Sequence, residues 1–453
     1  MNTWAKEAIF YHIYPIGFCG AEKSNNFKSV PQPRLTKILD WAGHIRSLGA
    51  NAVYLGPLFE SSSHGYDTVD YYQVDRRLGD NNTFKKVASE LRERGIRVVV
   101  DGVFNHVGRE FWAFKDVLQK GEKSRYCSWF SNLQFGKKSP YHDPFSYDAW
   151  NGYYNLVKLN VNHPEVREHL FKAVRMWIED FGIDGIRLDC ADCLDLDFLR
   201  ELSRFCKTLK EDFWLMGEVV HGDYNRWVNE NTLDSTTNYE CYKGLYSSHN
   251  DKNYFEIAYS LNRQFGEEHG IYKNLWLYSF VDNHDVNRIS STLKNPAHLH
   301  PLHVLLFTMP GIPSIYYGSE WGIQGVKGSY SDHALRPELD LKVCPARSPQ
   351  KDLEKTISRL ASIRQQSKAL KYGRYEQIKV NHEQLVFARI AEDECMIVAV
   401  NASDQPMALE FALPAGVRRL EDILNSGEAF SASENRCCVT LPSCWGRILR
   451  VAS

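Results

Sequence analysis

The chain has 453 residues, 43% apolar and 24% charged, with a formal net charge of −2. These values suit a globular protein with a large core and leave no electrostatic case for nucleic acid or anionic lipid. No apolar run approaches the roughly 18 residues of a membrane-spanning helix. Eleven cysteines, an odd number spread over a long chain, suit reduced thiols better than a disulfide framework. The first stretch, MNTWAKEAIFYHIYP, carries Glu7 and His12 and lacks a clean hydrophobic leader. A cytoplasmic protein is expected, and the sequon Asn401-Ala402-Ser403 then reads as an ordinary loop.

In chain order, apolar strands are expected at 8–13, 52–55, 97–101, 185–189, 213–218, faintly near Leu233, at 275–281 and at 314–317. Helical patterns such as LTKILDWAGHIRSLG, TFKKVASELRERG and PEVREHLFKAVRMWIEDFG separate them, most closed by a glycine suited to a C-cap. Alternation of this kind is α/β, and eight repeats favour a closed (β/α)₈ TIM barrel over an open doubly wound sheet. No glycine-rich phosphate loop follows the first strand. The stretch 107–163 is too long for an ordinary βα loop and is read as an inserted domain B after strand three. The barrel would then comprise 1–106 and 164–368. Beyond it, EQLVFARI, CMIVAVNA, MALEFAL and CCVTLPS alternate in the β manner, which predicts an all-β sandwich over 369–453.

The strand ends carry the chemistry. The third delivers Asp101, Asn105 and His106; the fourth, in GIRLDCAD, Arg187 and Asp189; the fifth, Glu218 and His221; the seventh, Asp282, His284 and Asp285. The loop after the second holds Tyr66 and Asp67. Singly, each has an ordinary explanation as a turn residue, a buried pair or a structural ion pair. Jointly they fall on one rim, where barrel enzymes keep their active sites. Metal spacing such as HExxH is missing, the CxxC at Cys190 and Cys193 has no second pair, and no G-x-S-x-G elbow offers a serine. Paired carboxylates remain, and they suit glycosidic bond cleavage. The 11 Trp, 24 Tyr and 23 Phe agree with sugar stacking, although most such rings simply build cores.

In order and spacing, DGVFNH, GIRLDCAD, GEVV and FVDNHD resemble the four motifs of the α-amylase family, glycoside hydrolase family 13. VKLN at 157–160 resembles a fifth motif of its neopullulanase, cyclomaltodextrinase and maltogenic amylase branch. The resemblance implies Asp189 as nucleophile, Glu218 as general acid/base and Asp285 as a stabilising carboxylate, with Arg187 beside the nucleophile. It also implies His106 and His284 as sugar hydrogen-bonders, Tyr66 as a stacking platform, Asp67 and Arg336 as contacts to the outer hydroxyls, and His221 near the next sugar.

The implied reaction is retaining hydrolysis of α-1,4 bonds in maltooligosaccharides or cyclodextrins. The alternatives are a 4-α-glucanotransferase, an α-1,6 or sucrose-specific relative, and a non-catalytic glucan-binding scaffold. The expected partner is an α-glucan oligosaccharide, with no nucleic acid and no membrane; the oligomeric state is open. Asn105 matches a calcium ligand of the family, but Cys193-Leu194 replaces the Lys-His pair of many extracellular members. No cofactor is therefore expected to be required, and calcium is at most optional.

Overall fold

The computed structural model describes every residue except 1, 2, 330, 414, 415, 426 and 453. Eight parallel strands form the centre: β1 (Phe10–Ile13), β2 (Ala52–Leu55), β3 (Arg97–Gly102), β4 (Gly185–Leu188), β5 (Trp214–Gly217), β6 (Ser235–Thr236), β7 (Tyr278–Ser279) and β8 (Ile312–Tyr316). They pair in the order β6-β5-β4-β3-β2-β1-β8-β7, and a parallel bridge from Thr237 to Tyr278 closes the sheet into a barrel. The faint sixth strand falls two residues past Leu233, and the seventh is much shorter than the expected 275–281.

The strands are apolar on both sides because both sides are buried. Ile186 and Leu188 are fully buried in the layer shared with the helices. The inward positions Phe10, Tyr54, Val99, Trp214, Met216 and Tyr278 fill the barrel, with Phe10 and Trp214 stacked at 5.1 Å. Further along, the inward positions turn polar. In the β3–β4 register Arg187 lies directly opposite Asp101, so the two share a face.

Local signals set the helix ends. Asp80 caps Asn81–Glu93 by accepting from Thr83 N at 2.7 Å, and Asp195 caps Leu196–Leu209 by accepting from Asp197 N and Phe198 N at 2.9 and 3.0 Å. Such a cap stabilises a helix by about 1 kcal/mol. Pro164 begins Pro164–Met176, which runs on through a wider turn, Trp177–Phe181, to Gly182. Gly182 has φ 67°, a left-handed conformation that favours glycine because a Cβ is strained there.

After β3 the chain leaves the barrel for a three-stranded sheet of His106–Gly108, Tyr153–Lys158 and Ala149–Trp150, with the helix Trp112–Lys120 and a short hairpin, Gln134–Phe135 with Phe145–Ser146. Lys158 pairs with His106 in this sheet, which sets the VKLN segment against the third strand's motif.

Past the barrel a six-stranded antiparallel sheet faces the pair Met407–Ala412 and Arg436–Leu441. Within its strand Gln384–Ile390 the middle residues Leu385 to Ala388 are apolar on both faces for a physical reason. Leu385 and Phe387 pack into the barrel's core, whereas Val386 and Ala388 pack into the sandwich. Asn401 is not in a loop: it ends Cys395–Asn401, is fully buried, and donates from Nδ2 to Gln405 O at 3.0 Å and Pro442 O at 2.9 Å. Among the described residues no helix is long and apolar enough to cross a membrane.

Candidate active site

The site is built around Arg187, which is 3% exposed. Its Nη1 donates to Asp101 Oδ1 and Asp189 Oδ1, both at 2.9 Å, and its Nη2 lies 2.9 Å from Glu218 Oε2. One guanidinium thus ties the ends of β3, β4 and β5 together. An oxygen of Asp189 and one of Glu218 lie within 4.8 Å of each other. Cys190 completes the link from the backbone. It holds a left-handed conformation, φ 45°, which disfavours a side chain, and from there its N–H donates to Glu218 Oε2 at 3.2 Å while its thiol meets Asp189 Oδ2 at 3.2 Å.

The carboxyls differ in proton affinity. Burial pushes Glu218 up to about 7, against the pull of Arg187 and with the help of the nearby Asp189 and Asp285 charges. Asp285 goes the other way: burial would raise it, but His284, Arg336 and Arg187 overcome that and hold it well below the usual carboxylate range. Its Oδ2 is 2.9 Å from His284 Nε2 and its Oδ1 is 2.9 Å from Arg336 Nη2. Asp101 is raised by burial, with Arg187 opposing.

Tyr66 connects the two halves. Its hydroxyl donates to Asp101 Oδ2 at 3.0 Å and meets His284 Nε2, while its ring stacks on His284 at 5.6 Å. His106 Nε2 stands 3.9 Å from Asp189 Oδ2, is buried, and has no hydrogen-bond partner. Burial lowers the pKa of His106, which favours the neutral ring. Asp67 accepts from Ser63 Oγ at 2.6 Å and Ser63 N at 3.1 Å, whereas Arg336 is bound to Asp285, Asp332 and the His284 carbonyl. His221 is exposed on the loop after β5.

Asp282 departs from its expected place on the rim. Ser319 Oγ lies 2.9 and 2.8 Å from its two oxygens and Ile289 N donates to it, so it braces the β7 loop against the segment after β8. Sequence reasoning also missed Tyr239, whose hydroxyl is 3.4 Å from Glu218 Oε1 and accepts from Asn283 Nδ2 at 3.2 Å, and Tyr14, whose ring stacks on His284 at 5.8 Å. The available signal was position alone, since each follows a barrel strand by a few residues.

Asp189, Cys190 and Glu218 could converge on a cation, but Arg187 already supplies the positive charge at 2.9 Å from both carboxylates. Asn105 Nδ2 lies 3.1 Å from His106 Nδ1, and the Asn105 backbone carbonyl accepts from Leu159 N at 3.0 Å. Asp143 of the insertion is clasped by both Nη atoms of Arg109 at 2.8 Å.

A barrel whose rim gathers Arg187, Asp189, Glu218, Asp285, His106 and His284 defines a class, the carboxylate-based glycoside hydrolases. The family described as alpha amylase, catalytic domain, matches residues 13–368, and maltogenic amylase, C-terminal domain, matches 375–446. A cyclomaltodextrinase of Geobacillus thermopakistaniensis is 30% identical over 473 residues, covering 97% of this chain and 76% of its own. Neopullulanase 2 of Thermoactinomyces vulgaris is 31% identical over 478 residues, covering 98% and 78%. The structure of the cyclic alpha-maltosyl-(1→6)-maltose hydrolase from Arthrobacter globiformis superposes with a TM-score of 0.82 at 27% identity, covering 99% of this chain and all of that one. The chain belongs to the α-amylase family of glycoside hydrolases.

Proposed function

We propose that the chain is a retaining α-glucan hydrolase that cleaves α-1,4 bonds of maltooligosaccharides and cyclodextrins through a glycosyl-aspartate. The observation that carries this reading is the geometry at Arg187: carboxylate oxygens of Asp189 and Glu218 within 4.8 Å, with Glu218 pushed up to about 7. Retaining enzymes keep their two carboxyls about 5 Å apart, whereas inverting ones leave about 6.5–9.5 Å for a water.

In the first step an Asp189 oxygen bonds to the anomeric carbon as the glycosidic C–O bond breaks, and Glu218 gives its proton to the leaving oxygen. Ester formation removes the Asp189 charge that helps hold the Glu218 proton. Glu218 then becomes the base that takes a proton from water, which opens the ester. Asp285, held ionised by His284 and Arg336, stabilises positive charge as it develops on the sugar ring. The unpartnered His106 Nε2 beside Asp189 suits a sugar hydroxyl, and Tyr66 supplies the stacking face. Asp67, Arg336 and His221 are assigned to flanking hydroxyls.

The substrate assignment rests on the relatives, whose names include cyclomaltodextrinase and neopullulanase. No metal is assigned to the reaction. The eleven cysteines stand as free thiols, which supports a reducing, cytoplasmic setting. The test is a product profile from maltoheptaose, cyclodextrin, pullulan and sucrose, with the anomer of the first product read by NMR. Glucose and maltose released as α-anomers, with sucrose untouched, is the expected result. A β-anomer would exclude the double displacement, and chain lengthening without new reducing ends would make the protein a transferase.

A further inference from the structure

A second group of chemically able side chains lies where the barrel meets the C-terminal sheet, away from the reacting carboxylates. His298 stands in the turn Pro296–His298, which leads into the helix Leu299–Thr308. Asp404 follows the strand Cys395–Asn401, and Cys444 precedes Trp445–Ala452. A ring nitrogen of His298, a carboxylate oxygen of Asp404 and the Cys444 sulfur all lie within 4.8 Å of one another.

Three observations point to a ligand there. Asp404 Oδ1 accepts from the Cys444 thiol at 3.5 Å and from Asn295 Nδ2 at 3.0 Å, and the oxygen–sulfur separation is close to the edge of about 3.6 Å that a tetrahedral zinc sets between a sulfur at about 2.3 Å and an oxygen at about 2.1 Å, so the metal would replace the thiol proton. His298 is 3% exposed, with Nε2 at 2.9 Å from the Ala402 carbonyl oxygen and Nδ1 buried without any partner. A ring that donates one N–H to a carbonyl and keeps the other nitrogen bare has the form metals bind. A cleft of ≈ 600 Å³, lined in part by Asp404, Cys444, His300 and Trp445, gives room for a water ligand.

We propose that His298, Asp404 and Cys444 bind one Zn²⁺, with water in the fourth position, and that the ion clamps the C-terminal sheet to the barrel. The set of one thiolate, one imidazole and one carboxylate suits zinc among the common divalent ions. On binding, the Cys444 S–H bond gives way to a sulfur–zinc bond and its proton passes to solvent. Lys252 Nζ is 3.8 Å from Asp404 Oδ2 and 3.2 Å from Glu383 Oε1. Its side chain is 56% exposed, so it remains with Glu383 when the metal takes Asp404. Ligands drawn from both sides of the junction make the ion a stabiliser of the folded chain.

The full chain, dialysed against chelator, is titrated with Zn²⁺ alone by calorimetry in two buffers, and with Co²⁺ for thiolate-to-cobalt absorption. One equivalent of zinc bound with proton release, a rise in Tm, and a cobalt–thiolate band are expected. Cys444→Ser abolishes the band, and both it and His298→Gln weaken the metal by more than about 100-fold while turnover is unchanged. A wild-type cobalt spectrum with no thiolate band overturns the proposal without any variant. So does a band that survives Cys444→Ser, or a Tm indifferent to zinc.

Discussion

Arg187 on the fourth barrel strand reaches Glu218 at the end of the fifth, Nη2 to Oε2 at 2.9 Å, while its other nitrogen holds Asp189 and Asp101. The guanidinium therefore fixes the spacing of the two carboxylates assigned to the reaction and offsets the cost of burying them. Because a planar fork with two donor edges is what permits this, lysine cannot replace it.

Removing that cation leaves three largely buried acids facing one another. Arg187→Met is expected to lose about 3–5 kcal/mol of stability at pH 8 and less at pH 5, where the unpaired acids take up protons. Urea midpoints at the two pH values check this, and Arg187→Lys should recover only part of the loss. Equal losses at both pH values would show that the acids do not depend on the arginine.

Asp189→Asn keeps the size of the side chain and an oxygen for Arg187. Turnover is expected to fall by about 10⁴-fold or more with circular dichroism and Tm near wild type. Near-normal turnover in this variant would place the nucleophile elsewhere.

Glu218 must carry a proton into the first step, so kcat/KM is expected to fall as pH rises through about 7. Glu218→Gln loses about 10²–10⁴-fold and flattens that limb, and it spares substrates whose leaving group needs no proton. Stability follows the same group. The folded chain holds this proton between 4.5 and about 7 where the unfolded chain does not, so its contribution shrinks as pH rises through that window. The slope of Tm against pH there should be shallower in Glu218→Gln; an unchanged slope would mean that Glu218 is not the raised group.

Chelation should leave kcat on maltoheptaose unchanged at 25 °C, because Arg187 already occupies the position a cation would take between Asp189 and Glu218. A large loss of turnover, restored by calcium, would refute the metal-free mechanism.

The sequence by itself determined the barrel, the alternation of its strands, the insertion after strand three and the β-rich end. It also placed Asp189, Glu218 and Asp285 at strand ends. These were legible because side-chain direction along a strand has a period of two and caps and turns act over a few residues. Where regular backbone stops, so does that rule. Asn283 Oδ1 accepts from Asp285 N and Val286 N at 2.8 and 3.2 Å, and this turn presents Asp285 to His284 and Arg336 while Asp282 is spent on Ser319.

Only the tertiary structure decided the burial and charges that push Glu218 up and hold Asp285 down, that Tyr239 stands against Glu218, and that His298, Asp404 and Cys444 share one corner. Ionisation depends on burial and on charges brought from other strands, and contacts between residues far apart in the chain leave no spacing to read.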